Sequence, residues 1–436
     1  MKKTFNTLVF LLLALSLGAC STLQRLPAVP KADLPKAHPV NLNSVRYLTS
    51  SEEGLQQMVL DLLDAQKTVG SPRRESIPSF LSISGGGDKG AFGAGLLNGW
   101  TEHGDRPNFV LVTGVSTGAL IAPFAFLGSA YDEELKKVYT ESSPKDIFVA
   151  RGVYSALFKD SYADTTPLYN LISKYITPEF LSKVAYEYQT KRRWLLIGTT
   201  NIDSGVPVIW NMGKIASFQS SEALELFRKI LLASASIPGA FPPIMLDMEL
   251  NGKRYQEMHV DGGTSAQVFL YPSSLKKLAQ EQGYKSINNA QAYIIRNARL
   301  ETDWSDTERR VIPIVTRSIS NLIQTQGQGD LLKIYETTQR DKVGYNLAFI
   351  GSDFTVPHLG EFEPEFMSAL FNYGFERGKA GYPWGHQPPG FENALEKDVE
   401  IHSEKVIVKI NPEILLVKDV KKRKKPQQPP VKELPK

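Results

Sequence analysis

Three short stretches hold the residues whose types and spacing could do chemistry together. Ser116 lies in Gly114-Val115-Ser116-Thr117-Gly118, directly after the apolar run Phe109–Val115. A serine between two glycines can sit on a sharp strand-to-helix turn with its hydroxyl exposed. A neighbouring base there can activate it to attack an acyl carbonyl. The same pentapeptide also makes a tight βα turn with no chemistry. Gly85-Gly86-Gly87-Asp88-Lys89-Gly90 follows another apolar run and opens a helix. Its N–H groups and the positive helix end favour an anion. In acyl transfer that anion is the oxygen of the tetrahedral intermediate, and one such donor contributes about 3 kcal/mol. A phosphate loop is the rival reading. No Lys-Ser or Lys-Thr pair follows at the required spacing, and no acidic residue stands where a dinucleotide site needs one. Asp261 ends a third apolar run, Tyr255–Val260, and precedes Gly262-Gly263. Asp-Gly alone is a common turn. Beside a serine elbow and a glycine loop, the carboxylate becomes a candidate proton acceptor.

Elements must bring these stretches together. Phe80–Ser84, Phe109–Val115, Trp194–Thr199, Val206–Trp210, Tyr255–Val260, Ala290–Arg296 and Tyr345–Ile350 read as strands. Helical patterns separate most of them, so the predicted fold is α/β: a mostly parallel central sheet with helices on both faces. Ligands in such sheets bind at the carboxyl ends of the strands, and each of the three stretches follows a predicted strand directly. Ser50 and Glu53 form a capping box before a stripe of Leu55, Met58, Val59, Leu62 and Leu63. Ala91, Ala94 and Gly95 are expected to let their helix approach the sheet closely. Pro123 is expected to kink Thr117–Leu127. From Ser129 to Gln189 the chain reads helical, with Pro167 and Pro178 at helix starts. Glu308–Asp341 and Pro364–Arg377 also read as helices.

The 436 residues are 42% hydrophobic and 22% charged, enough for a sizeable core. The net charge of +4 sits at the ends. Residues 418–436 carry eight cations against two carboxylates, and Lys2 and Lys3 add two more, so the body between is net acidic. That distribution gives no nucleic-acid groove. Leu8–Leu17 is too short to span a bilayer as a helix. Behind Lys2-Lys3 and ahead of Leu17-Gly18-Ala19-Cys20, it reads as a secretory signal. The last four residues resemble a bacterial lipobox, in which the cysteine becomes the lipid-modified first residue. Cys20 is the only cysteine, so a secreted chain has no disulfide to form with it. Several acyl chains there would anchor the chain stably. Ser21 comes next, and in bacteria with two membranes a lipoprotein lacking aspartate at that place goes to the outer one. The expected location is the cell envelope, lipid-anchored, at the outer membrane facing the periplasm. The plainer alternative is an ordinary signal peptide with an incidental cysteine.

Taken in order, SGGGDKGAFGAG, GVSTG, ASASIPGAFPP and VDGG resemble the patatin-like phospholipase family, strongly from Ser79 to Asp261 and weakly to Phe375. The resemblance implies a Ser–Asp dyad, with Ser116 as nucleophile, Asp261 as its partner and the backbone of Gly85, Gly86 and Gly87 as oxyanion hole. The family's basic loop residue falls on Lys89, and Ser84 stands where plant members carry aspartate. The implied activity is that of a membrane-anchored hydrolase of acyl esters, acting on phospholipids or related lipids without a cofactor. The carboxylates and histidines show no metal-ligand spacing. The chain then divides into a signal peptide (1–19), a lipidated N-terminus with spacer and flanking helix (20–76), a patatin-like catalytic domain (77–300), a C-terminal extension packing on it (301–417) and a basic disordered tail (418–436). Two alternatives stand beside this reading. One is a lipoprotein that binds acyl chains without turnover. The other is a His-dependent triad of Ser116, Asp261 and one of His358, His386 or His402, which satisfies the order serine, acid, histidine. His259 shares a strand face with Asp261. Protein partners are left open.

Overall fold

Apolar runs bounded by glycine, proline and asparagine build a single ten-stranded sheet in the computed structural model, which describes residues 24–67, 77–151, 160–284, 289–301 and 306–391. In chain order the elements begin with β1 (His38–Pro39), β2 (Arg46–Tyr47), α1 (Glu52–Lys67), β3 (Ser79–Ile83), α2 (Gly90–His103), β4 (Leu111–Gly114) and α3 (Thr117–Leu127). Next come α4 (Asp132–Thr140), α5 (Pro144–Ile147), a short ribbon of β5 (Val149–Ala150) and β6 (Ala163–Asp164), α6 (Thr166–Tyr175) and α7 (Pro178–Lys191). The sheet resumes with β7 (Trp194–Asn201) and β8 (Val206–Asn211), followed by α8 (Met212–Ala216) and α9 (Ser221–Ser234). The last part holds β9 (Ile244–Leu250), β10 (Lys253–Asp261), α10 (Leu275–Glu281), β11 (Gln291–Arg296), α11 (Val311–Asp341), β12 (Gly344–Phe349) and α12 (Pro364–Lys379).

The sheet is parallel at its centre, in the order β12-β11-β3-β4-β7. Beyond β7 it becomes antiparallel: β7 pairs with β8 and β10, β10 with β9, and the short β1 and β2 finish the edges. Along the parallel strands successive side chains point to opposite faces, and both faces are apolar. Leu81, Ile83, Leu195, Ile197 and Ile295 enter one core beneath α2, α3, α9 and α12. Phe80, Ala292, Ile294 and Leu347 enter another with Leu331 and Ile334 of α11, and Trp194 and Leu196 meet α1 and α10. Burial on both sides is why these strands read as continuous apolar runs.

Several expectations change. Residues 24–43, expected as part of an extended spacer, are packed: Val29, Leu34, Ala37 and Leu42 are core residues and β1 extends the sheet, as Val45 and β2 do just beyond. The prolines allow extension, but the apolar residues between them decide where it lies. The cap of α1 is Ser51, whose Oγ accepts from the Gly54 N–H at 3.1 Å, not Ser50. α3 continues past Pro123, so the helix does not end there. The small face of α2 serves α12, not the sheet: a Cβ on Gly95 would lie 2.0 Å from the Phe371 carbonyl, and one on Gly374 would lie 2.4 Å from that of Phe92. Strand β9 is an addition. Residues 306–390 share one compact unit with the preceding described chain, and β12 lies in the same sheet. Cys20, the signal segment and the basic tail lie outside the described residues.

Candidate active site

Ser116 is the hinge residue between β4 and α3. Its φ of 55° and ψ of −127° fall where residues other than glycine rarely go, a conformation costing about 1–3 kcal/mol. The surroundings hold it there. The Ser116 N–H donates to Ser234 Oγ (3.0 Å), and Ser234 Oγ donates in turn to the Gly198 carbonyl of β7 (2.7 Å). The glycines either side are required by space. A Cβ on Gly118 would lie 2.2 Å from the Ile83 carbonyl, and one on Gly114 would lie 2.4 Å from that of Gly118. The elbow is therefore pressed flat against the end of β3. Ser116 as a residue is 7% exposed.

The glycine turn lies against the elbow, with the Cβ position of Gly85 only 3.1 Å from Ser116 Cβ. The three expected donors do not behave alike. The Gly85 N–H is already given to the Gln267 carbonyl at 3.0 Å, so Gly85 drops out as an oxyanion donor. Among the described residues, the N–H groups of Gly86 and Gly87 meet no protein acceptor. Gly86 is clasped, since a Cβ there would lie 2.3 Å from the Asn297 carbonyl. Gly87 has φ of 59° and open space where a side chain would stand, so it needs glycine for its backbone and leaves room for a ligand. Asn297 fastens the turn by donating its N–H to Ser84 Oγ and its Nδ2 to the Ser84 carbonyl, while its Oδ1 accepts from the Gly93 N–H at the start of α2.

Asp261 arrives by a route that the strand-end rule does not describe. β10 is antiparallel to β7, which runs past the end of β4. The last residue of β10 pairs with Thr199, two residues beyond Ile197, the partner of Gly114. Asp261 therefore descends to the level of Ser116 from above the sheet end. Its Oδ1 accepts from the Gly263 N–H at 2.7 Å, and its own N–H donates to the Ser236 carbonyl at 2.8 Å. Oδ2 is buried and has no formed hydrogen bond. The Ser116 hydroxyl lies near enough to stabilise the carboxylate without closing a well-formed bond to it, which is common in a site without substrate. Burial pushes the Asp261 carboxyl up to about 7, against the pull of Ser116 and of the Gly263 N–H. Gly262 is again a matter of space, because a Cβ would lie 2.3 Å from the Gly198 carbonyl.

A family model described as patatin-like phospholipase matches residues 81–272, the span that holds all three stretches. The chain carries a patatin-like phospholipase domain. No curated protein matches the chain. Among solved structures, VipD from Legionella pneumophila aligns over 70% of this chain and 67% of its own, at 12% identity and a TM-score of 0.34, and so distant a likeness carries no argument.

The histidines near the patatin-like domain's site in sequence or weighed for a triad have other work where they are described. His259 shares its strand face with Asp261, but Nδ1 meets Thr199 Oγ1 (2.9 Å) and Nε2 meets Glu257 (3.1 Å) in a buried cluster with Arg46 and Trp210. His386 Nδ1 lies 3.2 Å from the Tyr345 carbonyl, near the opposite end of the parallel strands. His358 Nε2 lies 2.7 Å from Asp88 Oδ2, which also accepts from the Phe362 N–H, so the loop after β12 is fastened to the glycine turn. His402 lies outside the described residues. Asp88, His358 and Glu361 bring three ligand-type atoms within 4.8 Å of one another, a grouping that sequence spacing does not show. Lys89 is half-buried at the start of α2. The positioning residues Ser234, Gln267 and Asn297 escape the sequence reading as such. Ser234 lies inside ASASIPGAFPP, but the other two follow strand ends with no motif around them.

Proposed function

We propose that this chain is a membrane-anchored serine hydrolase that cleaves acyl esters of phospholipids or related lipids through Ser116 and Asp261. The observation that carries the reading is the buried Asp261 carboxyl, set at about 7 beside a serine held in a strained elbow. A carboxylate of that basicity can take the serine proton at neutral pH. Ser116 Oγ then attacks the acyl carbonyl, and the N–H groups of Gly86 and Gly87 receive the developing oxyanion. Asp261 returns the proton to the leaving alcohol and next deprotonates the water that releases the acyl group. No histidine is needed for either transfer. The anchor is Cys20, and its lipid would hold the domain at the periplasmic face of the outer membrane. No helix among the described residues is long and apolar enough to cross a membrane.

The test is labelling by a fluorophosphonate probe together with fatty-acid release from phospholipid. Both are expected from the parent chain and absent from Ser116→Ala. Labelling that persists in Ser116→Ala removes the proposal. Acyl-chain binding without turnover by the parent chain favours the lipid-binding alternative.

A further inference from the structure

We infer that the outer half of α11, residues 311–329, is a surface helix that seats the active-site end of the molecule on a phospholipid bilayer. The inference rests on the hydrolase reading only for its purpose, since the binding surface itself is a separate matter. β11 and β12 are adjacent and parallel, and α11 connects the carboxyl end of one to the amino end of the other. The helix therefore starts at the end of the sheet where Ser116 lies. Its inner half is core, with Leu331 and Ile334 against the sheet. Asp330 marks the level of the site: its Oδ2 accepts from the Gln267 N–H at 2.7 Å, and the Gln267 carbonyl takes the Gly85 N–H. At 1.5 Å per residue, residues 311–329 run about 28 Å outward from there. Gln324 and Gln328 still bond the 296–301 segment. Farther out, the described side chains from 314 to 323 are exposed, except that Arg317 is half-buried.

That exposed length is not polar. Val315, Ile319, Leu322 and Ile323 fall at i, i+4, i+7 and i+8, one stripe, with Leu322 70% exposed. From Arg309 to Gly329 there are three arginines and no carboxylate, with Arg310 paired to Glu308 just before the helix (3.4 Å). An apolar stripe with cations and no acids suits the boundary of an anionic bilayer. It suits a second copy of this chain less well, because a symmetric pairing would bring arginines of like charge together. A second set of exposed apolar side chains lies at the same end. Leu359, 81% exposed, and Val356 flank His358, which is tied to the glycine turn. Ile237 follows Ser236, whose carbonyl holds the Asp261 N–H. A bilayer touching the helix would also meet this rim, and an acyl chain would enter without crossing water.

The experiment uses the full chain with Cys20→Ala, so that no lipid on that residue contributes, and vesicles of phosphatidylethanolamine and phosphatidylglycerol in equal parts. The paired substitution Ile319→Glu with Leu322→Glu is compared with the parent. Expected are about tenfold weaker vesicle sedimentation and about tenfold slower fatty-acid release from vesicles. The rate on a water-soluble short-chain ester and the melting temperature are expected to stay unchanged. The uncharged pair Ile319→Gln with Leu322→Gln should lose binding in the same direction and guards against a folding effect of the new carboxylates. Equal vesicle binding by parent and both variants overturns the inference. So does a parent dimer, seen by light scattering, that the variants split while still binding vesicles. If no chain hydrolyses any ester, the hydrolase reading fails, and the sedimentation comparison still decides the helix.

Discussion

At the scale of the residue, the site depends on how strongly one carboxyl holds its proton. In the proposed dyad Asp261 has to be ionised to act, so kcat/KM should rise with pH and level off above an apparent pKa of about 7. Asp261→Asn should cut turnover by roughly 10²–10⁴-fold, the usual weight of a general base. The same group predicts a stability effect of opposite sense. Its folded value lies above its ordinary 3.8, so the native state binds the extra proton. Stability is complete below 3.8 and falls as pH rises to about 7. Asp261→Asn should therefore melt above the parent, by an amount that grows over that window and is flat beyond it. The full gap is on the order of 4 kcal/mol. A pH-independent difference in melting would contradict the burial of an ionising group there. Ser116 and Asp261 are legible in the sequence as candidates because glycine neighbours mark both turns. The basicity of Asp261 is not, because it comes from burial that only the folded chain creates, set against the Ser116 hydroxyl and the Gly263 N–H.

At the scale of the element, the glycines are contact surfaces more than hinges. Gly118→Ala would drive a methyl into the Ile83 carbonyl at the end of β3. It should destabilise the fold by about 1–3 kcal/mol, as overpacking does, and lower turnover further by moving Ser116. Thermal melting and single-turnover acylation separate the two effects. The parallel strands are readable because both their faces are apolar. The antiparallel arm is readable only in part. Residues 244–250 alternate buried and exposed along β9, and Asp247 and Glu249 interrupt the apolar run. Asn251-Gly252 is the available signal, since it is a strong two-residue hairpin mark. Its positive φ values of 51° and 72° match that use. Without β9, the antiparallel sense of β10 is invisible, and Asp261 reads as following a rule for parallel strands that it does not obey. The small face of α2 is an approach surface, as its residues imply, but for a different partner. Nothing local distinguishes a sheet from a helix far downstream.

At the scale of the whole molecule, the N-terminal segment is locked to the sheet by a buried ion pair. Arg46 joins Glu257 of β10, and its Nη2 also reaches the Leu34 and Ala37 carbonyls (3.1 and 2.9 Å). Burial pushes the Glu257 carboxyl up, but Arg46 and His259 more than reverse this and hold it at about 2. A lowered value has the opposite sense to that of Asp261. The stabilisation is present above 4.5 and is lost as pH falls toward about 2. Arg46→Met should cost about 3–5 kcal/mol, because it leaves the Glu257 charge buried and alone. Denaturant unfolding at neutral pH checks the magnitude. A cost below about 1 kcal/mol would mean that Glu257 finds another partner. Composition cannot show this pair: Arg46 and Glu257 lie 211 residues apart with no motif around either.

The hairpin turn at Asn251–Gly252 has one more consequence. It is the outermost point of the arm that delivers Asp261, and every residue of the elbow and the glycine loop lies upstream of it. A polypeptide opened there becomes two fragments, one holding the hydroxyl and the other the carboxylate, each inert by itself. They would regain chemistry only by zipping β10 back between β7 and β9, so the sheet would act as the switch of a split enzyme.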